Sequence, residues 1–262
     1  GWQTIKDENG VAHKYYFGDN GYMRTGWQWI ANSKGVKYRY YFSDVGYLRT
    51  GWQWIANSKG KYYKYYLGDN GAMRTGWQII KNSKGVEHKY YLGDNGAMRT
   101  GWQWIANSKG VKYRYYFGSD GAMRTGWQWI GTSKYYFENN GVMRTGWKIF
   151  KNSKGVERKY YFGSDGAMSL RWQNIKNSKG VSHRYYFSDD GTMRTGWQWI
   201  GTSRYYFGDN GAMRTGWQKI KASNGKYYWY YFYSNGVNVI NQNVKIGSKT
   251  YKFNKYGICT NA

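Results

Sequence analysis

The chain has 262 residues, a net charge of +26 from 40 Lys and Arg against 14 Asp and Glu, and a mean hydropathy of −0.90. Aromatic residues make up 22%, Gly counts 37 and Pro 0, so conventional core residues are scarce and the 31 Tyr and 16 Trp must do the packing. The charge favours polyanions (teichoic acid, nucleic acid, anionic lipid, acidic glycans) or solubility by self-repulsion; the single Cys259 rules out an internal disulfide, and no apolar run is long enough to span a bilayer.

Read along the chain, Gly-Trp pairs begin at Gly1, Gly26, Gly51, Gly76, Gly101, Gly126, Gly146, Gly196 and Gly216, and Arg171-Trp172 fills the one gap. These mark nine complete units, seven of 25 residues and two of 20, the short ones being Gly126–Thr145 and Gly196–Thr215. Because the sequence starts mid-pattern at Gly1-Trp2 and carries no signal peptide, it reads as an excised fragment. WQWIGTSRYYF in a short unit becomes WQWIANSKGVKYRYYF in a long one, so the extra residues fall between two strand-like runs and include the turn signal Ser-Lys-Gly. The pattern predicts a β-hairpin, Trp-Gln-x-Ile paired with x-Tyr-Tyr-Phe, on a base common to both lengths. A second turn of the type Gly-Asp-Asn-Gly follows, whose last Gly (Gly21, Gly71, Gly96, Gly211) suits positive φ. Ala-Met-Arg-Thr then leads into the next Gly-Trp.

One hairpin cannot bury a core alone, but stacked hairpins can cover each other. The expectation is therefore all-β, a β-solenoid of hairpins over residues 1–236. Residues 237–262 form a divergent cap of the same solenoid, with a last hairpin at Val244–Ile246 and Thr250–Phe253 around Gly247-Ser248.

Side chains alternate across a strand. In Arg114-Tyr115-Tyr116-Phe117, Tyr115 and Phe117 should face inward with Met123, while Arg114 and Tyr116 face outward near Trp102 or Trp127. Each junction would then hold a Trp, a cation and a Tyr. The candidate ligand-binding residues are Trp27, Arg39 and Tyr41; Trp52, Lys64 and Tyr66; Trp77, Lys89 and Tyr91; Trp102, Arg114 and Tyr116; Trp127, Lys134 and Tyr136; Trp147; Arg184 and Tyr186; Trp197, Arg204 and Tyr206; and Trp217. The alternative is that these rings only pack the solenoid. A second cation recurs in Met-Arg-Thr (Arg24, Arg49 after Leu48, Arg74, Arg99, Arg124, Arg144, Arg194, Arg214). Such cations suit phosphate or carboxylate groups, or alternatively exposed pairing with Asp19, Asp69, Asp94 and Asp209.

The unit Gly-Trp-(x)-Tyr-Tyr-Phe-x-x-x-Gly-x-Met-x-Thr-Gly-Trp resembles the cell-wall-binding repeat of choline-binding modules and the related glucan-binding repeats of streptococcal and lactobacillal surface proteins. The likeness extends over Gly1 to Asn235. It implies a left-handed hairpin solenoid with ligand pockets between units, and a non-catalytic, extracellular module tethering enzymes or adhesins to a Gram-positive surface. One departure matters. Choline-type repeats carry Trp-Tyr-Tyr, whose first Trp is a wall of the cage for the quaternary amine. Here that slot holds Lys14, Arg39, Lys64, Lys89, Arg114, Lys134, Lys159, Arg184 and Arg204, and Trp229 alone keeps the family residue. A cation in place of a cage wall disfavours choline at those nine sites. Ser169-Leu170-Arg171-Trp172, in place of Arg-Thr-Gly-Trp, marks a junction expected to be distorted or non-binding.

Catalysis needs a unique constellation, and this chain repeats itself. His13, His88 and His183 share one slot in separate units, and no Walker, Rossmann or Gly-x-Ser-x-Gly motif occurs. No enzyme, metal or cofactor is expected. The leading reading is attachment to an anionic, teichoic-acid-type surface glycopolymer through many weak sites. The second is a neutral α-glucan, with Tyr stacking on sugars and Gln28, Gln53, Gln78, Gln103, Gln128 and Gln198 bonding hydroxyls. Nucleic-acid binding and a self-associating structural stalk are further alternatives, without specific nucleic-acid recognition or membrane insertion.

Overall fold

The computed structural model describes residues 1–262 and contains no helix. Its twenty-two strands pair as eleven two-stranded sheets, each made of strands consecutive in the chain. The expected hairpins are thus present, including the last, at Gln242–Ile246 and Lys249–Phe253. Their geometry follows from the turn residues. In the long hairpin of Gly26–Ala31 and Lys37–Phe42, the Asn32 side-chain oxygen accepts from the backbone N–H groups of Lys34 and Val36, both at 3.0 Å. Gly35 closes that turn at φ 77°. In a short unit, Gly131 (φ 61°) opens a two-residue loop, where a hairpin needs positive φ.

Contacts cluster into two units. One comprises Gly1–Gln128 with Phe137–Met143, the other Trp129–Tyr136 with Arg144–Ala262. In the first, Tyr40 and Phe42 are buried while Arg39 and Tyr41 are half-buried, the alternation read from the sequence. Trp2, from the preceding hairpin, lies edge-on to Tyr40 at 5.1 Å and tilted over Phe42 at 5.8 Å. Each such edge-to-face pair contributes roughly 0.5–1.5 kcal/mol beyond area burial. In the second unit Trp147 meets Tyr185 at 5.1 Å and Phe187 at 5.9 Å in the same way.

A single backbone hydrogen bond fixes the register between successive hairpins. The Met73 N–H donates to the Arg39 carbonyl at 2.7 Å, and Met193 donates to Lys159 at 2.8 Å. Every cation slot whose carbonyl serves this way is followed, one hairpin later, by the residue in the Met position. Leu48, Asn238 and Cys259 take that position in three copies, with donations to Lys14, Arg204 and Trp229. Cys259, which the sequence pattern leaves unassigned, is therefore a buried stand-in for Met. The Met side chain explains the last Gly of the second turn. A Cβ on Gly96 (φ 81°) would fall onto the Met73 thioether, so this Gly is required for contact as well as conformation.

The Arg171 junction corrects an expectation. It is not distorted: Arg171 adopts φ 60°, beside 71° at Gly146 and 66° at Gly196, and Trp172 reaches Tyr186 at 5.1 Å and Tyr205 at 4.9 Å. The hairpin register on its C-terminal side holds the backbone in the left-handed region, while the exposed side chain pairs with Asp189 at 3.0 Å. Left-handed geometry at a residue with a Cβ costs about 1–2 kcal/mol, and an exposed ion pair offsets little of it. Arg171→Gly should therefore raise thermal stability, by about 1 kcal/mol, in a calorimetric comparison with the parent chain.

Candidate functional site

Cross-strand register puts Trp27 opposite Tyr41 and Trp29 opposite Arg39. Alternation then places all four on one face of the hairpin. From that position the Arg39 side chain lies diagonally across the Trp27 ring, with Cζ 4.2 Å from its centroid. The same placement recurs at Arg114 on Trp102 (4.2 Å), Arg184 on Trp172 (4.2 Å) and Arg204 on Trp197 (3.8 Å). Lysine does it at longer range, with Nζ of Lys14, Lys64, Lys89 and Lys159 at 4.7, 4.9, 4.4 and 4.5 Å from Trp2, Trp52, Trp77 and Trp147. Lys134 of a short unit lies 5.9 Å from Trp129.

The paired tyrosines complete the group. Trp27–Tyr41, Trp52–Tyr66, Trp77–Tyr91, Trp102–Tyr116 and Trp197–Tyr206 centroids are each 5.1 Å apart, as are Trp172 and Tyr186. Trp127 is half-buried on its strand, and Tyr136 packs edge-on to Phe150 at 4.6 Å. The sequence thus brings Trp, cation and Tyr together as expected, but the cation is turned onto the ring of its own hairpin. It occupies the aromatic face itself. Arg39 Nε is buried without an acceptor, which marks the ring as its principal partner. Arg204 is held more tightly still. Burial depresses its pKa, the neighbouring Tyr230 opposes that shift, and Nη1 donates to the Tyr256 carbonyl at 3.1 Å.

The Met-Arg-Thr cations have a different seat. The guanidinium of Arg74 lies against Gly68, where a Cβ would come within 2.5 Å of Nη2, and Arg124 donates to Asp120 at 3.1 Å. The repeated glutamines are also engaged internally: Gln28 Nε2 donates to the Thr25 carbonyl at 2.7 Å and Gln198 to Thr195 at 2.8 Å. Their amide donors brace the approach to each Gly-Trp rather than standing free for sugar hydroxyls.

One junction is built differently. Where the slot residue is Trp229, its ring stands perpendicular to Trp217 (6.2 Å, 89°), and Tyr251 of the next hairpin closes a third side at 4.7 Å from Trp217. A cavity of 380 Å³ lies between these rings and Ala262. Two indoles and a phenol around an open space form an aromatic cage, a geometry that attracts a soft organic cation by roughly 2 kcal/mol or more when desolvated. Trp229 and Tyr251 line this cavity and are absent from the candidate set. The sequence does carry the signal for Trp229, as the single exception to a basic slot.

A second omission is the other Trp of Gly-Trp-Gln-Trp-Ile. Trp29, Trp54, Trp104, Trp129 and Trp199 project into solvent from the same face as the first Trp. The spacing of two residues was the available signal.

The choline-binding repeat family model matches residues 124–171 and 194–229. Among solved structures, CbpJ from Streptococcus pneumoniae TIGR4 is 27% identical with a TM-score of 0.69, over 99% of this chain and 100% of that one. CbpF of Streptococcus pneumoniae, in complex with ipratropium, is 26% identical with a TM-score of 0.66, over 99% of each chain. The modular autolysin LytC of the same species is 25% identical with a TM-score of 0.51, and the chain spans 52% of its length. No curated protein sequence matches the chain significantly.

If the internal cation acts as the second face of each Trp, its loss should be felt in stability. Arg184→Met keeps the stem and removes the charge. It should lower stability by about 0.5–2 kcal/mol, with a difference from the parent largely insensitive to salt, as thermal melts at low and high ionic strength will read.

Proposed function

Because the chain belongs to the cell-wall-binding repeat superfamily, we propose that it is a non-catalytic module attaching its protein to a choline-bearing, teichoic-acid-type polymer on a bacterial surface. The observation that carries this reading is the cage of Trp217, Trp229 and Tyr251. The quaternary ammonium of a choline substituent would enter it and contact three ring systems at once. At the other junctions a tethered Arg or Lys already lies on the tryptophan face, so a free quaternary amine would meet like charge there. Trp27, Arg39, Tyr41 and their equivalents then serve the polymer otherwise, by holding positive charge along the molecule for its phosphates.

The architecture proposed for this role is a left-handed solenoid of nine repeats with the final hairpin as its cap. In that arrangement the last junction, not the body, selects the choline group. A net charge of +26 adds a long-range attraction for the polyanionic backbone and concentrates the polymer around the cage. Localisation on the outer surface follows from that ligand. A neutral α-glucan has less support, since each repeated glutamine already commits one amide N–H to a local carbonyl.

The test is retention on a choline-derivatised resin and displacement by free choline. The parent chain should bind at one site, and Trp229→Ala should lose at least about tenfold in affinity, the equivalent of 1.4 kcal/mol. Unchanged retention of Trp229→Ala would sink the cage. A gain-of-function arm uses Arg204→Trp, which removes a tethered cation beside Trp197 and Tyr230 and should add a second choline site by isothermal titration.

A further inference from the structure

The exposed tryptophans are not explained by the cage. Trp29, Trp54, Trp104, Trp129 and Trp199 are 64–68% exposed in a chain whose mean hydropathy is −0.90. Single exposed apolar residues need no explanation, but one large ring at the same place in repeat after repeat does. The grooves beside Trp29 and Trp54 are assembled from similar parts. One groove of 280 Å³ is lined by Trp29, Lys37, Tyr38 and Arg39 of one hairpin, Met73 and Thr75 of the following segment, and Asp94 beyond. Another, of 320 Å³, has Trp54, Tyr62, Tyr63, Lys64, Met98 and Thr100 in the corresponding places, with Lys61 beside them. A third recurs where Asn174 replaces the ring, with Arg184, Met213 and Thr215.

We propose that these grooves are a second, repeated class of binding site, in which the exposed tryptophans stack on the pyranose rings of an acidic linear glycan while the flanking lysine and arginine contact its anionic groups. The site is separate from the Trp217–Trp229–Tyr251 cage and uses different residues. Three observations select this occupant. A flat apolar ring beside a fixed cation and a threonine hydroxyl matches a ring that carries a negative group and hydroxyls. Recurrence of the ring in five of the repeats matches a polymer with its own repeat, each site weak and the array strong. The slot holds Ile79 and Ile149 in two further repeats and Asn174 and Lys219 in two others, and lysines such as Lys37 and Lys61 flank it, so the rings stand in a field of +26 that favours an anionic polymer.

The experiment compares the full chain with a triple variant, Trp29→Ala, Trp54→Ala and Trp104→Ala, and with Trp→Tyr at the same positions. The probes are polygalacturonate and phosphorylated dextran (acidic rings), neutral dextran (rings alone) and inorganic polyphosphate (charge alone), at physiological salt. The parent should bind both acidic glycans above neutral dextran, and the tighter of the two identifies carboxylate or phosphate as the preferred anion. The Ala variant should lose roughly tenfold or more for acidic glycans, keep its polyphosphate binding and thermal melt, and be restored in large part by Tyr. Acidic-glycan binding unchanged in the Ala variant overturns the proposal. So does equal loss of polyphosphate, tryptophan-dependent binding of single-stranded DNA tighter than either glycan, or tryptophan-dependent self-association without glycan binding. Choline retention is read on the same proteins. Its failure alongside tryptophan-dependent glycan binding would remove the cage reading and leave this one standing.

Discussion

A hairpin of two strands has no third strand to extend its sheet, so its outward-facing backbone groups must find partners beyond the ribbon. Everything else in this protein depends on how such an isolated ribbon is held to the next one. The answer is a tryptophan edge against a tyrosine of the following hairpin, as with Trp27 on Tyr65 at 5.0 Å and Trp147 on Tyr185 at 5.1 Å. One backbone bond, from the Met position to the cation-slot carbonyl, sets the register of that contact. Rings serve here because they bury a large area per residue while the ribbon itself contributes little core. The glycines are consequences of this. Left-handed backbone at Gly-Trp aims the indole, and the absence of a Cβ in the second turn admits the Met side chain.

A tryptophan used in this way has its edge packed and part of its face left over. That remaining face needs a partner, and a cation is a good one whether it is tethered or bound. Arg39, Arg114, Arg184 and Arg204 supply it from the same hairpin at 3.8–4.2 Å. Trp229 does not, and the space beside Trp217 stays open. The difference between a junction whose tryptophan face is covered and one whose face is open is thus one side chain on an otherwise constant scaffold. This explains why the slot can change without any effect on fold, and why fold alone says little about ligand.

The hairpins were legible because their signals are local. Two-residue alternation, Asn-Ser-Lys-Gly and Gly-Asp-Asn-Gly turns, and the comparison of 20- and 25-residue units locate both strands and the variable loop. The inward set of Tyr40 and Phe42 followed from parity alone. The candidate site was legible in membership but not in direction. Parity puts Arg39 and Trp27 on one face, yet whether a guanidinium points to solvent or lies on a ring depends on side-chain torsions that sequence does not encode. Arg171 was misjudged for a related reason, since register imposed from the flanking hairpin outweighed an intrinsic preference for glycine. Tyr251 was out of reach because it lies past the clear repeats and joins the cage only through its neighbour's packing.

Tethered cations also change how binding and folding are linked. A ligand that enters an empty, unfinished junction stabilises the folded chain by RT ln(1 + [L]/Kd) for each site it fills. In an array of many open cages that term multiplies, and the fold itself becomes dependent on ligand. Here most tryptophan faces are completed from within, so under the proposed function the linkage to choline would be confined to the junction of Trp217, Trp229 and Tyr251. The body can then be stable in the absence of polymer. It also gains a fixed positive charge at each plugged junction, which is what attachment to a polyanion requires at long range. Under the proposed function, loss of a choline site and gain of an anionic-polymer surface would be one substitution read from two sides: a ring that could hold a bound cation instead anchors the protein's own.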